Sequence, residues 1–100
     1  MTATDISTIA SVVAPVARRH GVERVYLFGS RARGDNRPDS DYDFLIFKGE
    51  VSTLWKFSGL WLDLEDALHS SVDVITEGCP DEELLEEARK DAVLLYEQEG

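Results

Sequence analysis

Apolar and polar residues along this chain follow two rhythms, and the switches between them mark out its elements. Ile6, Ile9, Val13, Val16 and Ala17 fall three and four apart, the spacing of one helix face, and predict a helix over residues 5–20. Thr4 is placed to cap its start and Gly21 to stop it, with Arg18, Arg19 and His20 where the helix dipole favours cations. Pro15 interrupts the pattern and is expected to kink the helix or split it in two. Residues 22–28 are short and β-rich, a first strand. Gly29 and Ser30 end it, Ser-Arg-Ala-Arg opens a brief helical turn, and residues 34–40 are loop chemistry throughout. Residues 41–48 form the second strand, whose continuous apolar run after Asp43 predicts burial on both faces.

A second long helix is predicted over residues 49–69. Leu54, Phe57, Trp61, Leu64 and Leu68 make its stripe, and Trp55 and Leu62 widen it; aromatics at this spacing read as core packing. Residues 71–76 return to alternation, with Val72 and Val74 on one face and Asp73 and Ile75 on the other. A last helix is predicted over residues 81–97, with acids at its start and Leu84, Leu85, Ala88, Ala92 and Leu95 on its apolar side. His20 and His69 read as helix-end residues without chemistry. The order helix, strand, loop, strand, helix, strand, helix predicts an α/β (α+β) chain, a small mixed sheet of about three strands packed against helices. Residues 1–100 read as one domain without repeats or linkers.

Composition narrows the function. At 43% apolar and 30% charged residues the chain is ordinary globular material. It carries no apolar run of membrane-spanning length and no signal-peptide pattern, so the expectation is a cytoplasmic protein without a membrane partner. Cys79 is alone and reads as a small part-buried residue. The net charge of −10 is uneven: +1 over residues 1–48, −4 over 49–76 and −7 over 77–100. Direct nucleic-acid binding through a broad basic face is therefore not expected. Two readings of the acidic end stay open, a surface that steers a basic partner and a solvated helix face.

The chemistry gathers between Tyr26 and Phe47. Asp41 and Asp43 lie two apart, so in an extended strand they project together, with Tyr42 opposite. Two carboxylates held side by side repel and lose hydration, and a divalent cation removes both penalties. Oxygen-only ligands suit a hard ion such as Mg2+. Gly29-Ser30, leading from a strand into a helical start, presents backbone N–H groups suited to phosphate, with Arg31 or Arg33 to neutralise charge. Asp73, a carboxylate in an apolar strand, would join the pair if its strand lies beside the second. Each piece has a plainer reading: Asp41 and Asp43 as capping chemistry, Asp73 as an edge residue facing water.

Together, Gly29-Ser30, ten intervening residues and Asp41-Tyr42-Asp43 resemble the signature of the DNA-polymerase-β-type nucleotidyltransferase superfamily. The short length and the Gly-Ser-Arg-Ala-Arg-Gly and Ser-Asp-Tyr-Asp-Phe-Leu wording resemble its minimal nucleotidyltransferase branch, whose members are typically antitoxins. The resemblance implies a polymerase-β-like fold, with Gly29 and Ser30 gripping a triphosphate and Asp41, Asp43 and Asp73 binding metal. Asp73 would also help activate the acceptor, and Arg31 and Arg33 would contact phosphate. It further implies ATP as substrate, Mg2+ as cofactor and an all-helical HEPN ribonuclease toxin as partner, silenced by AMP transfer to a tyrosine hydroxyl. Three alternatives are weighed against it: an antitoxin that works by occlusion alone, a transferase for a small molecule such as an aminoglycoside, and a non-enzymatic acidic interaction domain.

Overall fold

The computed structural model describes residues 6–99, so the Thr4 cap lies outside the described residues. Helix α1 (Ile6–His20) runs through Pro15 without splitting, and Pro15 is exposed. The missing N–H thus falls on the solvent side, away from the buried face of Ile9, Val13, Val16 and Ala17. Gly21, at φ 71°, closes α1: its N–H bonds the Arg18 carbonyl, and the Val22 N–H bonds that of Ala17. This double turn satisfies two end carbonyls and needs a left-handed residue at its centre.

Strand β1 (Arg24–Phe28) leads into the short helix α2 (Ser30–Arg33), then through a loop into β2 (Tyr42–Phe47). Helix α3 (Leu54–Leu68) returns the chain to β3 (Val72–Thr76), and α4 (Glu82–Asp91) leads to β4 (Val93–Glu97). The sheet order is β3-β2-β1-β4. β2 runs parallel to β3, and β1 is antiparallel to both β2 and β4. The sheet therefore has four strands, and the expected long last helix is corrected: it stops at Asp91. Val93–Glu97 adds a strand to the free edge of β1, with its register shifted at Val25/Tyr26.

Tyr42, Phe44 and Ile46 turn to one face of the sheet together with Val25, Leu27, Val72 and Val74, and α1 and α3 cover them. The other face carries Leu45, packed on Leu85 and Ala88 of α4, with Tyr26, Phe28, Phe47 and Ile75 around it. The expected stripe of α3 is only partly buried. Leu60 and Leu64 are in the core, whereas Leu54, Trp55 and Leu62 are 79%, 88% and 65% exposed. A helix cannot turn this many large apolar residues toward one neighbour, and those beyond the seam stay in water. Two side chains of α1 and α3 meet at the seam's edge, His20 Nε2 lying 2.6 Å from Asp63 Oδ2. No helix among the described residues is long and apolar enough to cross a membrane.

Candidate active site

The register of β1, β2 and β3 positions the site. Phe28, the last residue of β1, is the register partner of Asp43, and on the other side Asp43 is the partner of Asp73. Parallel register puts partnered side chains on the same face. Asp43 and Asp73 therefore stand side by side on the face opposite the main core, as the alternation in both strands requires. Asp41 lies one residue before β2 and is exposed, rather than inside the strand as expected.

Burial first, then the charges of Asp73 and Asp41, hold the Asp43 carboxyl above its ordinary value of 3.8, while Arg33 pulls it the other way. The three acidic groups thus share one electrostatic neighbourhood. Among the described residues, however, no three His, Cys, Asp or Glu side chains converge closely enough to form a metal cage as they stand. The fit to a divalent cation rests on the donor set itself: oxygen atoms only, two carboxylates paired across a ladder, and one of them destabilised as an anion.

Gly29 sits against this pair. Its backbone, at φ 76° and ψ −155°, is in a region essentially confined to glycine. A Cβ there would overlap Asp43 Oδ2. The same residue caps α2, its carbonyl accepting from the N–H groups of Ala32 and Arg33. Ser30 follows at the first position of α2, half-buried, where N–H groups have no acceptor within the helix. A phosphate-suited turn and a carboxylate pair are thus in contact through one glycine.

The two arginines of the motif part ways. Arg33 is exposed at the rim, with Nε 3.1 Å from Asp35 Oδ2 and Nη1 2.8 Å from Asp91 Oδ2, and its charge reaches Asp43. Arg31, expected to contact phosphate, is instead 5% exposed. Its Nε and Nη2 donate to the Ser40 carbonyl at 3.1 and 2.7 Å, and its guanidinium lies 4.0 Å from the Tyr42 ring centroid. The expectation is corrected: the side chain is turned inward and spent on the chain's own backbone. Asp91, at the end of α4, is a site neighbour that no motif announced. Only its place just before a β-rich run hinted that the chain turns back toward β1 there.

Known proteins resemble this chain in sequence and in fold. The family described as "Polymerase beta, Nucleotidyltransferase" matches residues 12–100. A Methanocaldococcus jannaschii protein, provisionally named as a protein adenylyltransferase, is 38% identical over 72 residues, covering 72% of this chain and 77% of that protein. Protein adenylyltransferase MntA of Thermococcus cleftensis is 40% identical over 57 residues, 57% of this chain and 58% of its own length. Among solved structures, a tri-AMPylated Shewanella oneidensis HEPN toxin in complex with MNT antitoxin contains a chain that superposes with a TM-score of 0.71 at 18% identity. That match covers 94% of this chain and 74% of the other, and it is a likeness of fold. On the family match, and on the archaeal relative that it covers over three quarters, the chain belongs to the polymerase-β nucleotidyltransferase family.

Proposed function

We propose that this protein transfers AMP from ATP to a hydroxyl, most simply a tyrosine hydroxyl, of a partner HEPN toxin and thereby acts as its antitoxin. The observation that carries the reading is the pairing of Asp43 with Asp73 on one sheet face, with Gly29 closed against Asp43. Relatives named as protein adenylyltransferases supply the reaction class, and a neighbour in fold that is a toxin–antitoxin complex supplies the kind of partner.

Asp41, Asp43 and Asp73 would hold Mg2+, which when bound supplies charge neutralisation on the triphosphate and lowers the cost of bringing an anion up to the acidic pair. The turn at Gly29 and Ser30 orients the triphosphate through backbone N–H groups and a hydroxyl, and Arg33 offers a cation at the rim. Asp73 is exposed and open to an incoming acceptor. Its carboxylate takes the acceptor proton as the hydroxyl oxygen bonds the α-phosphorus. The α–β phosphoanhydride bond breaks and pyrophosphate leaves, so that AMP stays on the acceptor.

Co-expression with the partner toxin, followed by intact-mass measurement of the toxin, tests this. The wild-type chain is expected to add one or more AMP groups, and Asp41→Ala none. A second reading, silencing by occlusion without transfer, draws on the carboxylates' not forming a closed cage as they stand. An unmodified toxin that is still silenced by Asp41→Ala would favour it. Against it stands the cost of keeping Asp43 half-buried beside like charges, which a purely structural site has no reason to bear.

A further inference from the structure

We infer that Arg31 is a positioning residue for Asp41: it acts through the loop backbone to fix the one acidic ligand that the sheet does not hold. Asp43 and Asp73 lie inside strands, where ladder hydrogen bonds fix the backbone. Asp41 lies outside the ladder, so its position depends on what holds the residues on either side. On one side, the Tyr42 N–H bonds the Ser71 carbonyl and starts the β2–β3 pairing. On the other, the Ser40 carbonyl receives two bonds from Arg31, whose Nη2 also reaches the Pro38 carbonyl at 3.3 Å.

The rest of the loop offers little. Ser40 N–H bonds the Arg37 carbonyl, and the Arg37 N–H bonds Ser40 Oγ at 2.8 Å, both within the same short turn. Asp35 is tied to exposed Arg33. Arg31 alone among these contacts reaches from the buried interior to the loop's last residues. Among the described residues it is also the only charged side chain that is buried. Burying a guanidinium is costly unless its donors are satisfied and its face is covered. Here two backbone carbonyls take Nε and Nη2 and the Tyr42 ring takes the face. Arg31 belongs to α2, which begins at the phosphate-suited turn, so one side chain couples that turn to the entry of β2. A lysine keeps the charge but neither the fork nor the flat face.

The inference rests on Asp41 as a metal ligand, and its test separates the two. The wild type is compared with Arg31→Lys, Asp41→Ala and the double variant. Mn2+ binding in the presence of AMP-PNP is read by electron paramagnetic resonance, and hydrogen exchange over residues 35–41 is read in the metal-free chain. Arg31→Lys is expected to speed exchange over that segment and to weaken Mn2+ binding about tenfold, the scale of losing an outer support of a metal ligand. In the Asp41→Ala background the same change should cost less than about twofold, because the ligand it positions is gone. Unchanged Mn2+ affinity in Arg31→Lys, or full additivity in the double variant, overturns the inference. Undiminished Mn2+ binding by Asp41→Ala would instead overturn the metal assignment. Should Arg31→Lys fail to fold, Pro38→Gly loosens the same loop from its exposed side. Weaker Mn2+ binding then supports the inference, and unchanged binding despite faster exchange overturns it.

Discussion

On one side of the sheet, Tyr42, Phe44 and Ile46 of β2 disappear beneath α1 and α3; on the other, Asp43 stands in the same strand beside Asp73, at the end of a much smaller apolar cluster. One six-residue strand therefore does two jobs, alternating between them residue by residue. The covered face carries the hydrophobic stabilisation, whereas the other holds like charges together at a cost to the free protein. Stability and chemistry in this chain are thus separable by position. Changes on the covered face should unfold it, and changes among the carboxylates should silence it while leaving it folded.

The largest expected break comes from the covered face. Phe44 is fully buried, and Phe44→Ala should cost about 3–5 kcal/mol, a large part of the stability of a domain this size. Leu85→Ala, beneath the opposite face, leaves a cavity that partly exposed neighbours can fill and should fall near the low end of about 2–5 kcal/mol. Urea unfolding of both variants checks the order, and an equal or reversed cost would erase the distinction. Gly29→Ala tests the junction of the two regions. Backbone strain there costs about 1–3 kcal/mol, and the added Cβ must displace the Asp43 carboxylate. A variant that is less stable and has lost AMP transfer is expected; full activity would remove Gly29 from the site.

The smallest effect is a pH slope. The folded-state pKa of Asp43 is raised, so folding binds a proton more tightly than the unfolded chain does. Its contribution is favourable below the ordinary value of 3.8 and is lost as pH rises through the raised value. Subtracting the unfolding free energy of Asp43→Asn from that of the metal-free wild type, across this window, isolates it from other carboxylates. The difference should fall as pH rises; a flat or rising difference would show that Asp43 is not strained as an anion.

Much of this arrangement is readable from residue order. The periodicities of α1 and α3 and the first three strands follow from side-chain direction, whereas the common face of Asp43 and Asp73 follows only from the pairing of β3 with β2. The last strand does not. Leu85, Ala88, Ala92 and Leu95 keep helical spacing straight through the break at Asp91, so periodicity alone prolongs the helix. What ends it is tertiary: β1 has an open edge, and the β-prone Val93–Glu97 run satisfies its backbone groups. Arg31 was hidden for a related reason. An arginine beside a phosphate-suited turn reads as a phosphate contact until the fold brings the Ser40 carbonyl, nine residues away, onto its guanidinium. Asp91 meets Arg33 across 58 residues, a distance that no local pattern spans.

On this reading the acidic pair beside Gly29 carries AMP transfer and contributes nothing favourable to folding at neutral pH. Its most direct measurement takes one preparation each of wild type and Asp43→Asn. Transfer of label from α-labelled ATP with Mg2+ to the partner toxin is followed alongside the thermal midpoint of the metal-free chain. The expected result is a loss of transfer on the order of a thousandfold or more, with a midpoint equal to or above that of the wild type. Undiminished transfer by a folded Asp43→Asn, or its unfolding at the temperature of the assay, would contradict it.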